Sequence, residues 1–283
     1  MPQLIVYSFL VYLSIGCQHS NRMDNTHGIN QTIASRDTNH IVKVEDITLP
    51  VGFKRVFYSN AQFGYYLRSL QFDPDNIVHL YNGQPKNTQN MAYKVLNIDV
   101  GHKDLQQCAD AVIRLRAEYL FKQKKIDQIC FKFTNGQEAC WNDYAQGMRA
   151  TLNGNNIIWR KTALPDSSYI NFRQYLDLIF TYCGTQSLHR DLKVPANHQK
   201  IEAGDVFIQS RQPYGHAVIV MDVAEDALGN RIFLLAQSYM PAQQIHILNN
   251  FNNSALSPWY SLKETEELHT PEWTFRFNDR RVF

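Results

Sequence analysis

Cys108, His216 and Gln237 have the residue types and the setting for nucleophilic chemistry. Cys108 stands in Leu105-Gln106-Gln107-Cys108-Ala109-Asp110-Ala111, at the head of a run of helix formers that continues through Arg114-Leu115-Arg116-Ala117-Glu118-Tyr119-Leu120. Asp104 followed by Gln107 has the form of a capping box, which predicts a helix beginning at Leu105 with the cysteine in its first turn. In that position the positive end of the helix dipole and the unpaired backbone N–H groups favour a thiolate, the form in which cysteine attacks a carbonyl. The backbone N–H of Cys108 is then available to an oxyanion, with the Gln106 amide as a second donor to consider. A structural reading competes with this one. Leu105, Cys108, Ala109, Val112, Leu115, Tyr119 and Leu120 share one helical stripe, and a cysteine on such a stripe is commonly a small buried hydrophobe.

His216 opens the apolar run Ala217-Val218-Ile219-Val220 directly after Gly215, a residue that lets backbone approach closely. Gln237 ends the next such run, Phe233-Leu234-Leu235-Ala236. If the two strands pair, the amide at the end of one holds the imidazole at the start of the other and fixes its tautomer. His246, alternating with Ile245 and Ile247, is the other candidate orienter and is expected to face solvent. Asp205 after Gly204 reads as a turn residue.

The elements that must position these groups follow from periodicity. Val51–Tyr58 reads as a strand, residues 59–70 as a capped helix, 93–99 as a strand and 156–162 as a strand. Asp166 is expected to start a helix with Tyr169, Phe172, Tyr175, Leu176, Ile179 and Phe180 on one stripe, ended by Gly184. Strands at 205–209, 217–223, 231–237 and 244–248 make an antiparallel meander. Helices first and strands later predict an α+β domain with segregated layers.

The chain has 283 residues, 44% of them hydrophobic and 12% aromatic, enough for a packed core. Its net charge is +2, with 28 basic and 26 acidic residues interspersed, so no nucleic-acid footprint is visible. There is no Cys-x-x-Cys or His-Glu-x-x-His spacing; no metal and no cofactor are implied. Residues 1–16 resemble a bacterial lipoprotein signal peptide cut before Cys17, which would carry the lipid. Residues 17–45, polar and aperiodic, read as a tether, and 46–283 as one domain. Export places the other cysteines in an oxidising compartment. The segment Cys130-Phe131-Lys132-Phe133-Thr134-Asn135-Gly136-Gln137-Glu138-Ala139-Cys140 admits two hairpin registers. The one with a three-residue loop ending at Gly136 pairs Lys132 with Glu138 and sets Cys130 opposite Cys140, predicting adjacent and bridgeable sulfurs. Cys108 and Cys183 are then left free.

The order cysteine helix, Gly204-Asp205 strand, Gly215-His216-Ala217-Val218 strand and polar Gln237 resembles the papain-like fold of exported cell-wall amidases and endopeptidases, the NlpC and CHAP classes. The resemblance implies Cys108 as nucleophile, His216 as base and Gln237 as third member, on a helix packed against an antiparallel sheet. Those families carry Asp or Asn where Gln107 stands, and their cysteine-to-histidine interval is shorter, which makes residues 140–200 a helical and hairpin insertion. Chain-wide, Leu105–Ala111, Arg114–Tyr119, Gly215–Val218, Ala236–Gln243, Ile245–Leu248 and Thr270–Trp273 resemble a family of bacterial lipoproteins designated domain of unknown function 4846.

These readings lead to an expected lipid-anchored cysteine hydrolase in the bacterial cell envelope, on its periplasmic or outer-membrane face, acting on amide bonds of peptidoglycan or another peptide. The alternative is a non-catalytic envelope lipoprotein that binds a peptide or glycan in the same cleft, with Trp141, Trp159, Trp259 and Trp273 as a stacking surface.

Overall fold

The run from Ala217 to Ala224 is apolar on both of its alternating faces apart from Asp222, the pattern of a strand covered on both sides. In the computed structural model, which describes residues 41–154, 156–196, 200–211, 213–263 and 265–283, it is the central strand β8 (His216–Glu225), buried along all but its last residue. It pairs antiparallel with β7 (Val206–Gln209) on one side and β9 (Arg231–Gln237) on the other. The sheet continues from β9 to β10 (His246–Leu248) and β2 (Ala92–Val95), and from β7 to β13 (Arg280–Arg281), with β1 (Lys54–Arg55) paired to the far end of β8. This is a mixed α/β architecture on a mainly antiparallel sheet. The described part of the chain belongs to one unit.

Odd-numbered residues at the start of β8, Ala217, Ile219 and Met221, join a core with Ala109, Val112 and Leu115 of α2 (Cys108–Lys122) and with Phe172, Tyr175, Leu176 and Ile179 of α4 (Tyr169–Tyr182). The even-numbered Val218 and Val220 join a second core with Phe207, Phe233, Leu235 and Phe275, the last on β12 (Thr274–Arg276), which pairs with β11 (Glu267–His269). The sheet is thus a filling between two apolar layers.

Several elements depart from their expected bounds. The strand expected at Val51–Tyr58 shrinks to β1, and the helix after it is α1 (Phe63–Arg68). Gln62 N–H donates to the Ser59 carbonyl, and Ser59 N–H to the Gln62 side chain, so Ser59 opens a turn and not a helix. Helix α4 starts at Tyr169 because Ser168, not Asp166, caps it, its hydroxyl accepting from Asn171 N. Gly184 ends one helix and caps the next, α5 (Thr185–Asp191). Between Cys140 and α4 lie α3 (Trp141–Ala145) and the hairpin of β5 (Met148–Asn153) and β6 (Asn156–Lys161). The hairpin of β3 (Cys130–Lys132) and β4 (Glu138–Cys140) sets Cys130 opposite Cys140 and Lys132 opposite Glu138, and the two sulfurs are bridged at 2.09 Å. The signal, the Cys17 lipid site and almost all of the tether lie outside the described residues.

One polar cluster crosses the apolar frame. At the register shift in β8, Asp222 is fully buried, its Oδ1 accepting from Arg68 Nε at 2.7 Å and its Oδ2 from Arg55 Nε at 2.8 Å. This ties α1 and β1 to the central strand. Breaking a buried pair from one side strands its partners in low dielectric. Asp222→Ala is therefore expected to lower the unfolding free energy by about 3–5 kcal/mol, read as a lower urea midpoint at unchanged m-value. A loss below about 1 kcal/mol, the size of an exposed ion pair, would contradict the structural role given to the cluster.

Candidate functional site

Helix α2 begins at Cys108 itself, three residues later than the Asp104 box implies. Gln107 is the N-cap, and its N–H is accepted by Asp110 Oδ2 at 3.1 Å. Asp104 is employed elsewhere, Oδ1 accepting from Ala242 N at 2.7 Å and from Gln107 Nε2 at 3.1 Å. Ser238, just past β9, places its hydroxyl 2.8 Å from the carbonyl oxygens of both Gln106 and Gln243. Asp104 and Ser238 together pin the entry to the helix against the loop that follows β9. Cys108 is thereby fixed at the first helical position beside the opening of β8.

The backbone N–H groups of Ala217, the residue after His216, of Ala109 and of Cys108 itself lie near enough to the sulfur to favour its thiolate. No hydrogen bond between the sulfur and the His216 ring is present among the described residues. Burial nonetheless pushes the thiol up to about 11, with the Asp110 carboxyl adding to the rise. The sulfur borders a cleft of about 250 Å³ whose walls include Gln107, Asp110, Cys183, Thr185, Tyr214 and Met240. Gly215 shapes the floor. A Cβ there would meet the Gln209 carbonyl oxygen at 2.3 Å and Thr185 Oγ1 at 2.6 Å, so no larger residue fits.

His216 is 2% exposed, and its Nε2 lies 2.8 Å from Gln237 Oε1. The amide's other end is committed, since Gln237 Nε2 donates to Glu272 Oε2 at 2.5 Å and Glu272 accepts from Lys86 Nζ at 2.8 Å. A carboxylate only accepts, so the amide orientation is forced and Oε1 faces the ring. Nε2 must then carry the hydrogen, which leaves the Nδ1 lone pair as the basic position. The ring is walled by Tyr239, Trp273 and Phe275 at centroid distances of 5.0, 5.4 and 6.0 Å. Burial lowers its pKa to about 4, so it is neutral at pH 7. Strand alternation puts His216 on the side of Val218 and Val220, across from the layer that holds α2. The sulfur and the imidazole thus both stand at the start of β8, the one beside Ala217 and the other on His216.

The structure brings Cys108, His216 and Gln237 to one end of β8, and it corrects the expectation for His246. That histidine is fully buried, not solvent-facing, because the second apolar layer covers the face that alternation alone assigns to water. Its Nδ1 donates to the Gln244 carbonyl at 3.0 Å, leaving Gln237 to orient His216. Gln106 does not face the sulfur's cleft; its Oε1 accepts from Arg114 at 3.0 Å. Asp205 is a buried turn residue whose Oδ2 accepts from Glu202 N at 3.0 Å. Cys183 is free, as is Cys108, and shares the cleft. Trp141 and Trp259 are core residues. Sequence assigns no role to Glu272, Lys86 or Ser238, and it places Trp273 on a stacking surface, whereas the structure sets it against the His216 ring. For Glu272 and Trp273 the one visible signal was an adjacent acid and indole in an otherwise turn-like segment.

Residues 44–281 match the model of the family described as Domain of unknown function (4846), and the chain belongs to that family. No curated protein and no solved structure matches the chain. Among the described residues no helix is long and apolar enough to cross a membrane, and no cluster of His, Cys, Asp and Glu has the makings of a metal site.

His216 and His246 are both held neutral, each lowered by burial from 6.5 to about 4. Protonation favours the unfolded chain, so their contribution is full above about 6.5 and is lost as pH falls through about 4, on the order of 3 kcal/mol for each. Asp205, raised by burial to about 6, opposes this trend in the same window. Urea midpoints at pH 7 and 4.5 isolate the histidine share by difference: His246→Asn is expected to shrink the acid-side loss. An equal loss in wild type and variant would contradict a neutral, buried His246.

Proposed function

We propose that the protein is an exported, lipid-anchored cysteine hydrolase with a papain-like site, in which Cys108 attacks an amide or ester carbonyl and His216 moves the proton. The observation that carries this reading is the seam at the start of β8, where the first residue of a helix delivers a sulfur to the peptide after a histidine whose tautomer is fixed by Gln237. In the reaction the Cys108 S–H proton passes to His216 Nδ1 as sulfur bonds to the carbonyl carbon. The oxyanion is received by the N–H groups of the first turn of α2, which lack partners inside the helix. Collapse of the tetrahedral species breaks the bond to the leaving amine or alcohol, which takes the proton from His216. Water, deprotonated by the same nitrogen, then cleaves the thioester and restores the thiol. No hydrogen bond joins sulfur and imidazole among the described residues, and in this mechanism their contact forms in the substrate complex, where such bonds commonly tighten. Residues 140–200 count as an insertion in this fold, Cys17 as the lipid site, and cell-envelope amides, peptidoglycan stem peptides among them, as the substrate class.

A second reading, a non-catalytic envelope protein that binds a peptide or glycan in the same cleft, draws on the buried, backbone-held thiol. With Trp141 and Trp259 in the core, it lacks most of the proposed stacking surface.

Acylation separates the two. On mixing with p-nitrophenyl acetate, the protein carrying Cys183→Ser is expected to release a burst of p-nitrophenolate and to hold one acetyl group on Cys108, found by peptide mass spectrometry. Cys108→Ala abolishes both, and His216→Ala slows acylation by about 100-fold or more. Acetylation of Cys108 no faster than that of the urea-unfolded chain would exclude the hydrolase.

A further inference from the structure

A second cavity, about 400 Å³, lies on the other side of Leu105 and Phe180 from the Cys108 cleft; both residues line both spaces. Its wall is apolar at Leu105, Ile170 and Phe180; its polar lining includes the carboxylates Asp99 and Asp177 beside Lys103 and Arg173, and two of its buried donor atoms have no acceptor. Gln106 is 1% exposed and lines the cavity, its Oε1 taken by Arg114, while its Nε2 has no hydrogen-bond partner among the described residues. Arg173 lines the same cavity, and its buried Nη1 likewise has none.

The charges around these donors say what is missing. Arg114 is already matched, its Nε donating to Glu118 at 2.7 Å, and Tyr169 donates its hydroxyl to the same carboxylate oxygen. Among the described residues the ion-pair partner of Arg173 is Asp99 at 3.8 Å, whose side chain is 70% exposed, with Glu118 and Tyr169 acting on it from further away. Lys103 and Asp177 pair with each other at 2.9 Å on the exposed rim. The inner wall therefore holds an undercompensated guanidinium and an idle amide N–H₂. Leaving such donors unpaired is costly, and more so for a charged group than for a neutral one.

We propose that this cavity is a carboxylate-binding subsite, in which Arg173 Nη1 and Gln106 Nε2 donate to the oxygens of a ligand's carboxylate while its aliphatic stem packs on Leu105, Ile170 and Phe180. A planar guanidinium is matched to a two-oxygen acceptor. Burial, and then repulsion from the Arg114 cation, lowers the pKa of Arg173, a tension that an anion relieves. Taken with the hydrolase reading, on which this further step rests, the shared wall makes the substrate an acyl or peptide chain with a free carboxylate a few bonds from the cleaved bond.

Binding can be measured without catalysis. With Cys108→Ala protein, isothermal titration with N-acetylglutamate α-amide, which has one side-chain carboxylate, is compared with its neutral counterpart N-acetylglutamine α-amide and with inorganic phosphate. The carboxylate is expected to bind about tenfold or more tighter than the neutral amide, the size of a charge-assisted hydrogen bond. Arg173→Gln, at a partly exposed position, should remove that preference, Arg173→Lys should restore part of it, and the urea midpoint of each variant reports whether it folds. Equal affinity for acid and amide, tighter binding of phosphate, absence of binding at millimolar ligand, or a preference untouched in folded Arg173→Gln would each overturn the subsite. Failure here with Cys108 still acylated leaves the hydrolase standing; carboxylate binding with an unreactive Cys108 leaves the subsite and removes the hydrolase.

Discussion

The hydrogen-bond chain from Lys86 through Glu272 and Gln237 to His216 is the constraint on which the site depends. Each link has one sense. An ammonium only donates and a carboxylate only accepts, so the amide has a single orientation and the imidazole a single tautomer. The chain needs the second apolar layer, because Trp273 and Phe275 hold water away from it, and in low dielectric such bonds are stronger. It also explains why Glu272 lies in the segment that leads into β12, far in sequence from everything it orients. The layer that carries Glu272, Trp273 and Phe275 thus holds His216 in place as well as packing the sheet.

The sulfur is positioned by a different set of contacts. Ser238 and Asp104 clamp the residues before α2, and the cap at Gln107 makes Cys108 the first helical residue. With its side chain at the helix mouth the thiol gains the N–H groups of the first turn, yet burial and Asp110 hold its proton on. Thiol and imidazole are both neutral at rest. The two groups are therefore not a preformed ion pair, and in the proposed mechanism an incoming carbonyl supplies the reason for proton transfer.

Much of this frame was legible in the sequence. Strands β8 and β9 were readable because runs apolar on both faces have few other uses, and the β3–β4 register because only one alignment joins opposite charges and two cysteines. The pairing of His216 with Gln237 followed from the ends of two neighbouring strands. What failed did so where local signals were ambiguous or tertiary structure overrode them. Asp104-x-x-Gln107 and Gln107-x-x-Asp110 are overlapping cap signals, and the choice between them rests on Ala242, which takes the Asp104 carboxylate from across the fold. His246 alternates correctly for a one-sided sheet, but the face assigned to solvent is covered. Glu272 and Ser238 act through long-range contacts that no spacing rule reveals.

The central claim is that His216 acts on the proton of Cys108, and the pH dependence of Cys108 alkylation by iodoacetamide in the Cys183→Ser protein tests it most directly. The account predicts a rate that rises with ionisation of the imidazole on the acid side, reaches a plateau near neutrality and falls at every pH below about 9 on His216→Ala substitution, leaving only the rise toward about 11 expected of an isolated buried thiol. Superimposable profiles with and without His216 would show that the two groups, though neighbours, do not work together.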